Sequence, residues 1–295
     1  MEEDTCAACG NVGDGLKTCN ACKLAKYCSA ACQSSHWQKH KKDCKRRAAE
    51  LHEEKLFAEP PPPEECPVCM LVLPSTEGGD TQYMVCCGKV VCRGCIIATA
   101  KAGGTKSVGK LVTKCPFCRD FPVDLSDAES LRLLRKRIDV HNDREAINGL
   151  GVYYLNGIMG LPVDEAKAFQ LILKAAKMGS SDACNNLGNL YYMGQGCERS
   201  MKNSRHYYEL AAIGGDVPAR ASLGQDEAHA GNYQRAMRHW KISAAQGCDT
   251  SLQGLKTGYS IGHVTKDDFA KALRAHKEAK DGMKSKERDE ARFYN

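Results

Sequence analysis

Fifteen of the eighteen cysteines fall before residue 119, most of them in Cys-x-x-Cys pairs, and only Cys184, Cys197 and Cys248 lie beyond it. No other feature limits the fold as much. Thiols paired at this spacing belong either to a disulfide framework, which needs an oxidising compartment, or to metal sites, which suit a reducing one. The opening MEEDTCAACG is acidic and runs directly into cysteines, and no stretch approaches the roughly 18 apolar residues of a membrane span. The expected setting is therefore cytoplasmic or nuclear, with zinc as the metal and no membrane partner. A formal charge of +6 over 295 residues is too small an excess to argue for nucleic acid, and it offsets the negative charge of tetrathiolate sites. The length suggests about two or three domains.

Residues 6–44 contain Cys6-x2-Cys9, Cys19-x2-Cys22, Cys28-x3-Cys32 and His40-x3-Cys44. Eight soft ligands make two tetrahedral zinc sites. A segment this short cannot bury enough apolar surface to fold alone, but structural zinc supplies about 10–16 kcal/mol in finger peptides. Tyr27-Cys28, Cys32-Gln33, His36-Trp37, His40-Lys41 and Cys44 resemble the MYND finger. The resemblance implies interleaved sites, with Cys6, Cys9, Cys28 and Cys32 on one zinc and Cys19, Cys22, His40 and Cys44 on the other. His36 competes with His40, whose three-residue gap to Cys44 and match to the family favour it. MYND fingers bind short proline-containing peptides, and Gln33 and Trp37 match positions that form that surface. Alternatively, Trp37 packs against the knuckles on the short helix implied by ACQSSHWQKHKKDC. The basic run Lys39, Lys41, Lys42, Lys45, Arg46 and Arg47 is either an import signal or a solvated helix face.

Pro60 to Pro63 stop any helix and favour a stiff polyproline spacer, which could also serve as a ligand for a groove in this or another protein. A second set of eight cysteines follows: Cys66-x2-Cys69, Cys86, Cys87, Cys92-x2-Cys95 and Cys115-x2-Cys118. ECPVCM, CCGKVVCRGC and CPFCR resemble a RING-type finger, in which the first and third ligand pairs share one zinc. That assigns Cys66, Cys69, Cys92 and Cys95 to one site. In the second, the usual histidine position holds Lys89, a protonated amine that is no ordinary zinc ligand. Cys86 and Cys87 can together complete that site with Cys115 and Cys118 if a tight turn at Gly88 aims both inward; otherwise only one binds. Lys89, Arg93, Lys114 and Arg119 are placed to offset the thiolate charge.

In RING ubiquitin ligases, residues matching Val68, Pro116 and Arg119 contact the conjugating enzyme and its ubiquitin. The resemblance thus implies a ligase that acts by positioning, not covalently. The other reading is a structural module, with Val68 and Pro116 packing the knuckles and Arg119 as a counter-charge. The long ATAKAGGTKSVGKLVTK insert departs from a compact RING.

Ser126-x-x-Glu129 is a capping box that opens a helix carrying Leu131, Leu134 and Ile138 at helical spacing. Thereafter the chain repeats itself. Ala146, Ala183 and Ala219 stand 37 and 36 residues apart, and Leu150-Gly151, Leu187-Gly188 and Leu223-Gly224 recur with them. Ala175-Ala176, Ala211-Ala212 and Ala244-Ala245 mark a second helix, ended by Gly179, Gly215 and Gly247. This periodicity indicates stacked helical hairpins. With Asp164, Lys167 and Ala168 matching a D-x-x-K-A segment, the units resemble the Sel-one-like subclass of tetratricopeptide-type repeats, which implies a protein-binding surface. Three units are clear and a degenerate fourth follows, with most of Tyr153, Tyr154, Tyr191 and Tyr192 in the core.

The expected fold is mainly α: an α-solenoid of helical hairpins preceded by two small zinc-binding α+β fingers. Its parts are a MYND finger over 1–47, a helical and polyproline linker over 48–65, a RING-like finger over 66–122 and a capping helix over 123–145. Repeats over 146–281 and a charged tail or cap over 282–295 complete it. The expected function is a zinc-binding interaction adaptor with four zinc ions per chain and no catalytic side chain of its own. Its partners would be proline-containing peptides, a client on the repeats and, if the finger is a ligase, a ubiquitin-conjugating enzyme. The alternative is a non-enzymatic scaffold or nuclear co-regulator.

Overall fold

The computed structural model divides the chain into two units, Met1–Ala58 and Glu59–Asn295, and describes residues 4–74, 80–102, 114–120, 123 and 125–294. In the first unit two short strands, β1 (Lys17–Thr18) and β2 (Lys26–Tyr27), pair antiparallel ahead of a single helix, α1 (Ala30–Leu56). Ser29 caps α1 by accepting the Cys32 N–H at 3.2 Å. The helix does not end near Cys44. It continues through AAELHEEKL, which the sequence reading assigned to the linker, because nothing there breaks a helix before Pro60. Along it Arg47 pairs with Glu50 and Glu54, and Arg46 with Asp43, so the basic run is interrupted by its own acidic partners.

The second unit begins with the polyproline segment. Pro61 lies against Gly215, where an added Cβ would come within 2.9 Å of the proline ring, so this stretch touches the chain's own repeats. Strands β3 (Thr81–Met84) and β4 (Lys89–Cys92) form a hairpin leading into α2 (Arg93–Ala102). Most of the glycine-rich insert, 103–113, lies outside the described residues.

Helix α3 (Asp127–His141) starts at the Ser126–Glu129 capping box. Four antiparallel pairs follow: α4 (Arg144–Asn156) with α5 (Glu165–Lys177), α6 (Ser181–Met193) with α7 (Met201–Ile213), α8 (Val217–His229) with α9 (Tyr233–Ala245), and α10 (Asp249–Ser260) with α11 (Lys266–Gly282). The recurring glycines are where the two helices of a pair touch. A Cβ on Gly151 would stand 2.6 Å from Ile172, one on Gly188 2.4 Å from the Tyr208 ring and one on Gly224 2.3 Å from the Trp240 ring. Each glycine thus receives a large side chain from the opposing helix. Gly179, Gly215 and Gly247 take positive φ just past α5, α7 and α9, the left-handed stop that glycine adopts without Cβ strain. Tyr154 is buried, and Tyr191 stacks on Tyr207 at 5.6 Å, whereas Tyr192 is exposed. The chain is mainly helical, and no helix among the described residues is long and apolar enough to cross a membrane.

Both ends of the repeat stack hold the second finger. Tyr83 and Val85 of the hairpin pack into the cluster of Leu131, Leu134, Ala146 and Leu150. At this seam Asp143 accepts hydrogen bonds from the Tyr83 hydroxyl at 2.8 Å and from the Arg137 guanidinium at 2.7 and 2.9 Å. The charged C-terminal segment is not a fraying tail. It forms α12 (Lys286–Ala291), which packs on α2 with Arg288 and Ala291 buried.

Candidate metal centres

Four ligand sets assemble, with the donor atoms of each within 4.8 Å of one another: Cys6, Cys9, Cys28 and Cys32; Cys19, Cys22, His40 and Cys44; Cys66, Cys69, Cys92 and Cys95; Cys86, Cys87, Cys115 and Cys118. A tetrahedron with zinc–sulfur bonds of about 2.3 Å has sulfur–sulfur edges of about 3.8 Å. Five observed separations match it, 3.7 Å for Cys9–Cys28, 3.8 Å for Cys19–Cys44, 3.9 Å for Cys66–Cys95, 3.8 Å for Cys69–Cys92 and 3.8 Å for Cys87–Cys115, while Cys28–Cys32 at 3.4 Å and Cys86–Cys118 at 3.5 Å are somewhat shorter. These are far from the length of about 2.05 Å that a disulfide requires. The four clusters are zinc sites by donor type and spacing.

One turn builds four of the ligand pairs. After each of Cys6-x2-Cys9, Cys19-x2-Cys22, Cys66-x2-Cys69 and Cys115-x2-Cys118, the next residue takes positive φ: Gly10, Lys23, Met70 and Arg119. In each turn that residue's N–H bonds back to the carbonyl of the first cysteine, at 2.8 to 3.0 Å. Amides gathered around the thiols favour thiolate: N–H groups of Cys28 and Cys9 hold Cys6 down to about 6. Burial alone would raise Cys66, but the amides of Cys92, Cys69 and Val68 hold it at about 7. Crowding acts the other way on their partners, pushing Cys28 up to about 12 through Cys32 and Cys9. A dication at the centre lets the whole set ionise.

Cys86 and Cys87 do not lie in an extended strand, so strand alternation does not separate them. They occupy the β3–β4 turn, closed by the Gly88 N–H to Met84 O bond at 2.7 Å with Gly88 at φ +70°. Both sulfurs join Cys115 and Cys118. Lys89 is exposed, with its ammonium 5.9 Å from the centre of the Phe117 ring.

In the first unit His40 Nε2 lies 3.3 Å from Cys22 Sγ, while His36 hydrogen-bonds to the buried Tyr27 hydroxyl at 3.1 Å. Gln33 Nε2 is 3.8 Å from Cys19 Sγ, so Gln33 supports a zinc ligand, whereas Trp37 is 38% exposed. On the second finger Val68 and Arg119 are exposed and Pro116 is buried. The residue that sequence reading missed is Arg288, whose guanidinium reaches Cys69 Sγ at 3.5 Å. It stands among the many charges of KSKERDEAR, and nothing local sets it apart.

Residues 6–44 match the family model of the MYND finger, and 144–180, 181–216 and 223–248 match that of the Sel1 repeat; the matching families do not include a RING. Chitin synthase regulator SKT5 of Saccharomyces cerevisiae is 41% identical over 71 residues, 24% of this chain and 10% of that protein. Cytochrome c oxidase assembly factor 7A of Xenopus laevis is 33% identical over 87 residues, 28% of this chain and 38% of that protein. Histone-lysine N-methyltransferase SMYD3 of Homo sapiens is 45% identical over 40 residues, 14% and 9% respectively. The chain spans well under half the length of each. Among solved structures, the Escherichia coli protective antigen c5321, described as displaying an SLR fold, is 28% identical with a TM-score of 0.46 over 52% of this chain and 34% of that one. The chain thus carries a MYND finger and Sel1 repeats, both protein-interaction modules, which support a zinc-binding interaction adaptor.

Proposed function

We propose that the adaptor is a non-enzymatic scaffold: the MYND finger takes short proline-containing peptides on the Trp37 face, the repeats take a client protein, and the second finger is the joint that holds the repeats. The observation that carries this reading is the anchorage of that finger at both ends of the repeat stack, by Tyr83 and Arg137 on Asp143 and by Arg288 on the first knuckle. A finger held this way is part of the scaffold. Trp37, an exposed indole beside a zinc site, offers the flat apolar surface on which proline rings pack. The test is titration of proline-containing peptides into the full chain. Trp37→Ala should weaken binding at least tenfold with zinc content unchanged, and equal binding by both proteins refutes the peptide role.

The exposure of Val68 and Arg119 favours a second reading, a ubiquitin ligase that clamps a charged conjugating enzyme. Autoubiquitination across a broad panel of conjugating enzymes separates the two. The scaffold reading expects none. Activity abolished by Val68→Ala or Arg119→Gly, the latter suited to the positive φ at that position, would establish the ligase instead.

A further inference from the structure

Arg288 lies in α12, at the far end of the sequence from the finger it touches, and is 9% exposed. Its Nη1 donates to the carbonyls of Val72 and Met283, both at 2.7 Å, and its Nη2 to the Leu71 carbonyl at 3.2 Å and to Cys69 Sγ at 3.5 Å. Cys69 is one of the four thiols of a single site, with Cys66, Cys92 and Cys95. The finger is shaped to admit it. Gly94, between ligands Cys92 and Cys95, has no side chain where α12 passes: a Cβ there would meet the Arg288 backbone N and Cγ at 2.8 Å. Glu290 pairs with Lys101 of α2 on the same side.

Four thiolates on one zinc carry a formal charge of −2, and a buried guanidinium needs an anion nearby. Each therefore supplies what the other lacks. We infer that Arg288 is the outer-sphere donor of the Cys66–Cys69–Cys92–Cys95 zinc site, so that zinc at this site and docking of α12 stabilise each other. The coupling is reciprocal, because any factor by which α12 strengthens zinc binding is the factor by which zinc strengthens α12 docking. The C-terminus of the chain then reports the loading of a site more than 200 residues earlier in sequence. This inference rests on the second finger being zinc-loaded.

The experiment follows zinc release from the full chain to a colorimetric chelator, after metal analysis of the wild type. Fewer than four zinc ions per wild-type chain refutes the four-site reading itself, before any variant is made. With four bound, Arg288→Met should release one equivalent about tenfold faster, the lower end of what loss of an outer-sphere partner costs, with the other three unchanged. Ala291→Glu, which drives α12 off while leaving Arg288 in the chain, should release the same equivalent faster. Arg288→Lys, which keeps the charge but not the fork, should recover part of the retention. In the wild type, removal of that equivalent should deprotect amides 286–291 to hydrogen exchange. Release of all four equivalents at wild-type rates from Arg288→Met overturns the inference, as does unchanged exchange in 286–291 once the site is emptied. Simultaneous loss of both of the finger's equivalents from Arg288→Met, with Ala291→Glu behaving as wild type, marks general destabilisation and overturns it as well.

Discussion

Asp143→Ala should uncouple the second finger from the repeats, and its cost can be worked from two contributions. One carboxylate oxygen accepts the Glu145 and Ala146 N–H groups at 3.0 and 3.2 Å and so caps α4; losing an aspartate cap costs about 1 kcal/mol. The other takes Arg137 and Tyr83, and the Arg137 and Asp143 side chains are only 17% and 13% exposed. Stranding one partner of a fully buried pair costs about 3–5 kcal/mol, and the residual solvent access here reduces that to about 2–4. The sum is about 3–5 kcal/mol. Asp143→Asn keeps the cap and should lose only the ion-pair share. Because a chain of two units with metal sites does not melt in two states, the suitable readout is hydrogen exchange in 81–92 and 144–150. Opening free energies that change by less than about 1 kcal/mol in Asp143→Ala would refute the reasoning, that being the size of an ordinary substitution.

The same pair fixes a pH dependence. Burial works to raise the Asp143 pKa, but the hydrogen bonds from Arg137, Tyr83 and the Ala146 amide outweigh it and hold the carboxyl below its usual range. A carboxylate with a depressed folded pKa contributes stability that is fully present above its unfolded value of about 3.9 and is lost as pH falls through the folded value. The difference in seam protection between wild type and Asp143→Asn should therefore be constant above about pH 4 and shrink below it.

Cys86→Ser and Cys87→Ser should each lower the zinc content from four ions to three, read by metal analysis; a variant that retains four identifies a cysteine outside the site. Gly88→Ala should weaken zinc retention at that same site, since φ is +70° there and a Cβ would run into the Arg137 guanidinium; release kinetics check it. Gly188→Val places methyl groups where the Tyr208 ring lies 2.4 Å from an added Cβ, and should lower the opening free energy of α6 and α7 by about 1–3 kcal/mol, read by hydrogen exchange. Treating the whole chain with a strong chelator should unfold the first unit, seen as loss of exchange protection around Tyr27.

Much of this molecule is local and therefore readable in one dimension. Ligand type and spacing specify the knuckles, because a Cys-x-x-Cys turn closes on itself within a few residues. The Leu-Gly and Ala-Ala recurrences specify the helix pairs, because each pair packs on residues about 20 positions away. The extent of α1 was readable less well, since the prolines that stop it stand beyond the last ligand. The support that Gln33 gives a zinc ligand was hidden too, because its contact with Cys19 depends on how α1 crosses the knuckle.

Ligand chemistry, repeat number and the absence of a histidine at Lys89 were determined by the sequence alone. Only the tertiary structure decided that the second finger is gripped at both ends of the repeats, and that an arginine of the last helix serves a zinc site at the start of the unit. The reason is geometric. Residue 288 meets residue 72 only after the rise and rotation of four successive helix pairs have accumulated, and no local pattern of charge or hydrophobicity encodes that sum.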